Sequence, residues 1–141
     1  MLFVVVAGAE QTGLIQVIAD WVSNVSKGSL VVAVIMILWV SAIASAFIDN
    51  IPFTATMLPI VAYLNQVIPG AESGILWWSL SLGACLGGNG TMIGASANVV
   101  TVGIAESLGY PISFMAYMRM AWWPMMLSVG LCMGWLLIVE L

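Results

Sequence analysis

The chain has 141 residues, of which 63% are hydrophobic and 6% charged, with a mean hydropathy of +1.17. A soluble domain carries about 25% charged residues, so this chain lacks the polar surface to face water on all sides, and lipid is its natural solvent. A net charge of −4 without a basic cluster excludes nucleic acid and a polybasic lipid-surface role, and the absence of histidine excludes metal sites of the His type.

The charged residues are Glu10, Asp20, Lys27, Asp49, Glu72, Glu106, Arg119 and Glu140, and the stretches 28–48, 50–71, 73–105 and 120–139 carry none. A helix needs roughly 20 apolar residues to cross the hydrocarbon core, which leaves room for about three crossings plus a shorter re-entrant element. Residues 1–22 read as a partial helix. The chain starts directly in hydrophobic sequence without a basic n-region, unlike a cleavable signal peptide, and reads as the inside of a longer protein or a truncated start. A polar loop follows over 23–29.

The apolar run from Leu30 to Ile48 ends in Asp49-Asn50-Ile51-Pro52, a second run extends from Phe53 to Ile68, and Pro69-Gly70-Ala71-Glu72 closes it as a turn. Two readings fit: two full crossings, or a re-entrant hairpin over 30–68 whose tip lies inside the protein. The second run holds Pro59, Asn65 and Gln66. Its 16 or so residues reach only about 24 Å, short of the ~30 Å core, which favours the hairpin.

Residues 73–108 carry no charge before Glu106, yet their middle holds Gly87, Gly88, Asn89, Gly90, Thr91, Gly94, Ser96 and Asn98. Glycine costs about 1 kcal/mol in a helix interior, so this concentration predicts a discontinuous helix broken at mid-membrane. Gly83, Gly87 and Gly94 would also let helices pack closely. Residues 112–140 form the last transmembrane helix, with an interfacial start through Arg119 and the crossing itself over 120–139. Lys27, Glu72 and the C-terminus then share one side and Arg119 takes the other. Cys85 and Cys132 lie in apolar runs and read as buried small hydrophobes.

Broken helices expose backbone groups that lipid cannot satisfy, so they occur where protein or a water-filled cavity surrounds them. Their free ends carry partial charge, and secondary transporters hold ions between such ends. Asp49 is the sharpest candidate, an ionisable group between two apolar runs, of the kind that marks ion or proton pathways. Its bland role is a cap on the following helix, and the two coexist. Asn50, Thr54, Asn89, Thr91, Ser96 and Asn98 offer oxygens of the type hard cations prefer, with Gly90 contributing backbone. Pro52, Gly87, Gly88 and Gly94 are expected to shape the breaks. Na+ would bind at Asp49, Asn50, Asn89 and Asn98, and no other metal or cofactor is expected. Gly87-Gly88-Asn89-Gly90 is not a phosphate loop, since no strand precedes it and no lysine follows. No pairing of catalytic groups supports an enzyme.

Residues 45–57, Ser-Ala-Phe-Ile-Asp-Asn-Ile-Pro-Phe-Thr-Ala-Thr-Met, resemble the hairpin motif of the ion transporter superfamily. Residues 86–100, from Leu86 to Val100, resemble the second motif of its arsenite-permease/P-protein branch, with a citrate transporter-like domain. Gly103-Ile104-Ala105-Glu106 and Pro111-Ile112-Ser113-Phe114-Met115 continue the likeness. The resemblance implies an all-α polytopic membrane protein of two inverted repeats, each with a re-entrant hairpin and a discontinuous helix, moving as an elevator within a homodimer. Residues 1–141 would be the C-terminal repeat, and the N-terminal repeat would come from the same or another chain. Divalent-anion symporters of this superfamily carry Ser-Asn-Thr at the hairpin tip, where this sequence has Asp49-Asn50-Ile51-Pro52. A carboxylate there suits cation or proton coupling better than direct anion binding. The expectation is a secondary active permease coupled to Na+ or H+ for an inorganic or small organic ion, multi-pass in the plasma or inner membrane. A Na+/H+ antiporter of the same fold is the alternative, and a non-transporting membrane subunit or scaffold is the reading from another class.

Overall fold

The computed structural model describes residues 29–139 throughout and residues 8, 11–13, 17, 20–22, 24 and 25 before them. Glu10, Lys27, Glu140 and most of the partial helix expected over 1–22 lie outside the described residues. Five α-helices follow Ser29: α1 (Leu30–Ser45), α2 (Asn50–Val67), α3 (Ile75–Gly87), α4 (Ser96–Ser107) and α5 (Phe114–Val139). A single 3-10 turn over Ala71–Ser73 precedes α3, and the described residues contain no strand.

The core is built on α1 against α3. On α1 the buried stripe is Ala33, Val34, Ile37, Leu38, Ser41, Ala42 and Ser45; on α3 it is Ile75, Leu76, Ser79, Leu80, Gly83, Ala84 and Gly87. Both follow the i, i+1, i+4 spacing of one helical face, and both change from large to small residues along the helix. The small ends let the backbones touch: an alanine Cβ at Gly83 would lie 2.5 Å from Leu38 O, and one at Gly87 would run into the Ala42 backbone. The expectation of close helix packing is met at Gly83 and Gly87, whereas Gly94 lies in the break between helices, close to Gly88 O and to the carbonyls of Ser45 and Ala46.

α2 lies alongside both helices through Ile60, Val61 and Leu64. Its end is turned by Gly70 and Gly74, at φ +86° and +83°, in the left-handed region that glycine occupies without strain. The Asn65 amide, oriented to suit its neighbours, donates to Ala71 O at 2.8 Å and accepts from Trp77 Nε1 at 2.7 Å. Gly70 sits against the Leu30 side chain, so α2 ends beside the start of α1. The chain over 30–68 therefore goes out and comes back. The packing differs from a simple hairpin, however, because the small residues of α3 take the closest place against α1.

α5 runs antiparallel to α1: Phe47 stacks at a tilt on Trp122 (6.4 Å between centroids), and Trp39 Nε1 donates to Met133 Sδ at 3.2 Å. One continuous helix begins at Phe114 and carries Arg119 within it. Among the described residues α5 alone is long and apolar enough to cross a membrane, while α1 and α3 are shorter apolar helices. They are short because each stops at a chain interruption, at 46–49 and 88–95. Cys85 corrects the sequence reading: it is exposed, because it lies off the α3 stripe that faces α1, and Cys132 is half-buried.

Candidate functional site

The two interruptions lie against each other. After Ser45 the chain makes one more turn, with Phe47 and Ile48 amides bonded to Ala44 O, and Asp49 then adopts an extended ψ of 138° before α2 begins. After Gly87 it runs through Gly88–Ala95 in tight turns held by Asn89 N to Leu86 O (3.2 Å) and Gly90 N to Gly87 O (2.9 Å).

Side chains stitch the bend to the break. The buried Thr91 hydroxyl donates to Ala46 O. Ser45 Oγ lies within hydrogen-bond reach of both Ala84 O (2.7 Å) and the Asn50 side-chain amide. The Ser45 hydroxyl is the donor to both, sharing its one proton between Ala84 O and Asn50 Oδ1. The Asn50 amide covers Gly88, where a Cβ would lie 2.7 Å from its oxygen. Asn98, in the first turn of α4, reaches back: its Nδ2 donates to Gly88 O at 2.9 Å and Thr91 O at 3.0 Å. Gly94 is enclosed by carbonyls, a Cβ there meeting Gly88 O at 2.6 Å and Ala46 O and Ser45 O at 2.9 Å. Gly90 is enclosed by Met125 and Ala46.

Asn50, Thr91, Asn98, Gly87, Gly88, Gly90 and Gly94 thus form one cluster. Asp49 stands at its edge, half-buried, and accepts Ile51 N–H at 3.2 Å as the cap of α2. Pro52 falls in the first turn of α2, where a missing N–H costs nothing. Thr54 is one turn past Asn50 and lines an open groove of about 390 Å³ with Asn50, Ile51, Ala55 and Leu58. Asn89 is exposed and turns away from Asn50, lining a cavity of about 400 Å³ against Tyr117, Pro124 and Ser128 of α5. Ser96 is exposed at the start of α4, whose N-terminus has no side-chain cap. Asp20 accepts a hydrogen bond from Tyr63 Oη at 2.9 Å, and Glu106 is exposed near the end of α4. Among the described residues no three His, Cys, Asp or Glu side chains are grouped to hold a metal ion.

Ser45 was not among the sequence candidates, nor was the Ala46 carbonyl. The signal for Ser45 was the spacing of Ser41, Ala42, Ser45 and Ala46 opposite Gly83 and Gly87, two small stripes that require each other. A carbonyl leaves no trace in a sequence.

Four helix ends meet here: the carbonyl ends of α1 and α3 and the amide ends of α2 and α4. The first two attract cations and the second two anions. Depth follows from α5. Met125, which touches the break at Gly90, is 11 residues from Phe114 and 14 from Val139, or about 17 Å and 21 Å along the helix. The cluster is therefore level with the middle of the helix of spanning length.

Residues 1–83 match the citrate transporter family. This span covers α1, the bend, α2 and most of α3, and stops before the break. The human P protein is 52% identical over 107 residues, 73% of this chain and 13% of that protein. An uncharacterized transporter of Mycobacterium bovis is 47% identical over 119 residues, 84% of this chain and 28% of the relative. A 46 kDa membrane protein of Mycobacterium leprae is 44% identical over the same shares. The chain therefore spans less than a third of the length of these relatives. No solved structure matches it. The matched family is one of transporters, in agreement with an integral membrane protein that is not an enzyme. With more than half of its length in that match, the chain belongs to the citrate transporter family.

Proposed function

We propose that this chain forms half of the ion pathway of a multi-pass secondary active permease, coupled to Na+ or H+, for an inorganic or small organic ion. The observation that carries the proposal is the meeting of the bend at 46–49 with the break at 88–95, level with the middle of α5. Half-helix ends facing each other at mid-depth are how secondary transporters hold ions. The re-entrant reading of 30–68 is supported by Gly70 returning to Leu30 while the bend stays level with Met125. A second, inverted repeat from the same or another chain would close the site, within a homodimer.

Residue roles follow from the chemistry. Asp49 supplies a carboxylate for the coupling cation or proton, beside the carbonyl end of α1. Asn50 and Asn98 hold the two interruptions in register, and Thr91 locks one to the other. Asn50, Thr54, Ser96 and Asn98 are the ion-facing positions, with Na+ coordination centred on Asp49, Asn50 and Asn98; Asn89, which lines the cavity against α5, is not a ligand of the same ion. The uncapped N-terminus of α4 at Ser96 leaves first-turn amides for a substrate oxygen. The family description makes citrate-like carboxylates one substrate class to test, although Asp49 disfavours an anion directly at the bend.

A Na+/H+ antiporter of the same architecture is the second reading, favoured by that same carboxylate. The test is flux in proteoliposomes of the full-length protein under an imposed Na+ or H+ gradient. The proposal expects gradient-dependent transport that falls at least ~tenfold in Asp49→Asn. Na+-driven proton movement without any second solute would select the antiporter. Gradient-independent flux, unchanged in Asp49→Asn, would remove the coupling role, and no flux of any ion would leave a membrane subunit without transport.

A further inference from the structure

Between the α1–α2 bend and the first turns of α5 lies a cavity of about 470 Å³, lined by Phe47, Met115, Met118, Arg119, Trp122 and Trp123. Five of its six walls are apolar or aromatic and the sixth is a guanidinium. Arg119 is exposed, and among the described residues it has neither an ion-pair nor a hydrogen-bond partner. The cavity contains no carboxylate.

Its depth can be read along α5. Arg119 is six residues from Met125, about 9 Å toward the Phe114 end. With Met125 near the bilayer centre and a hydrocarbon half-thickness of about 15 Å, the Arg119 backbone lies roughly 6 Å below the headgroups. An arginine at that depth extends its guanidinium up toward the phosphate layer and leaves its methylenes in hydrocarbon. Trp122 and Trp123 stand one turn deeper, and Phe47 meets Trp122 ring to ring. The cavity is therefore graded: the guanidinium stands at its outer end beside Met115 and Met118, and the rings of Trp122, Trp123 and Phe47 form its inner end. A small inorganic anion would use only the first. A ligand that satisfies both carries an anionic phosphate on a hydrocarbon chain.

We propose that this cavity binds one anionic phospholipid. The phosphate pairs with Arg119, and an acyl chain passes over Trp122 and Trp123 onto Phe47. Phe47 belongs to the bend, two residues before Asp49, so the bound lipid buttresses the element that presents Asp49 and Asn50. The inference rests on α5 spanning the membrane and not on which ions move.

The test uses the full-length protein, washed free of endogenous lipid in detergent and titrated with phosphatidylglycerol or phosphatidylcholine by native mass spectrometry. The expected result is one phosphatidylglycerol per chain, bound at least tenfold more tightly than phosphatidylcholine, with the preference kept in Arg119→Lys and lost in Arg119→Gln. Inorganic phosphate should leave the melting temperature unchanged. A preference retained in Arg119→Gln overturns the proposal, and so does stabilisation by inorganic phosphate equal to that by phosphatidylglycerol, which would mark a free-oxyanion site. Should Arg119→Gln fail to fold, the wild-type competition decides alone, since no preference between the two lipids also overturns it. Because binding is read without flux, failure of the transport reading leaves this result interpretable.

Discussion

Replacing Gly94 by alanine tests the contact between bend and break. The added Cβ would lie 2.6 Å from Gly88 O and 2.9 Å from Ala46 O and Ser45 O. All three are backbone atoms, and two of them, Ser45 O at the end of α1 and Ala46 O in the bend, lie across the contact. Ordinary contact begins near 3.4 Å, so relief needs a separation of roughly half an ångström or more. Overpacking of this kind costs about 1–3 kcal/mol. Gly94 has no positive φ, so the substitution also recovers roughly 0.4–1 kcal/mol by restricting the unfolded chain. A net loss of about 1–2 kcal/mol remains, concentrated where functional groups must be held within about 0.5 Å. Gly103→Ala is the internal control: nothing lies within 4 Å of its Cβ position inside α4, and alanine should favour that helix by about 1 kcal/mol. Thermal unfolding of the full-length protein in detergent, together with flux in proteoliposomes, reads both. The expected result is a lower melting temperature and at least ~tenfold slower flux for Gly94→Ala, with neither loss in Gly103→Ala. Equal behaviour of the two variants would refute the packing of bend on break.

Asp49 separates cap from charge: Asp49→Asn keeps an acceptor for Ile51 N–H and should leave stability within ~0.5 kcal/mol, whereas Asp49→Ala should cost about 1 kcal/mol, and the coupling role requires both to lose gradient-driven flux. Thr91→Val removes the buried donor to Ala46 O and should destabilise by about 1–3 kcal/mol in denaturant titration, while Thr91→Ser, which keeps the hydroxyl, should cost less than half of that. Asn98→Asp places a carboxylate against Gly88 O and Thr91 O in place of a donor; flux at pH 7 should be lost and partly return at low pH, where the protonated acid donates again, and a flat pH profile would exclude Asn98 as the clamp. Trp39→Phe loses the indole bond to Met133 and should lower the melting temperature slightly without changing flux.

Much of this architecture could be read from residue order alone, because lipid imposes a simple rule: charge and glycine-rich polarity cannot sit in a helix facing hydrocarbon. Asp49-Asn50 beside Pro52, and four glycines from Gly87 to Gly94, therefore marked both interruptions to within about three residues. The motifs pointed to the transporter family for the same reason, since local backbone need is written locally. What tertiary structure decided was which groups meet. Asn50 and Asn98 are 48 positions apart, and only the close approach of α1 and α3 puts both over Gly88. That same approach made Ser45 a member of the cluster and turned Asn89 toward α5, although Asn89 and Asn98 read alike in the sequence. The direction of a side chain in an irregular segment depends on turns fixed by distant contacts, here Thr91 on Ala46 and Met125 on Gly90. Arg119 illustrates the same division: its charge is evident in the sequence, but the apolar cavity beside it exists only because α5 brings Trp122 to Phe47.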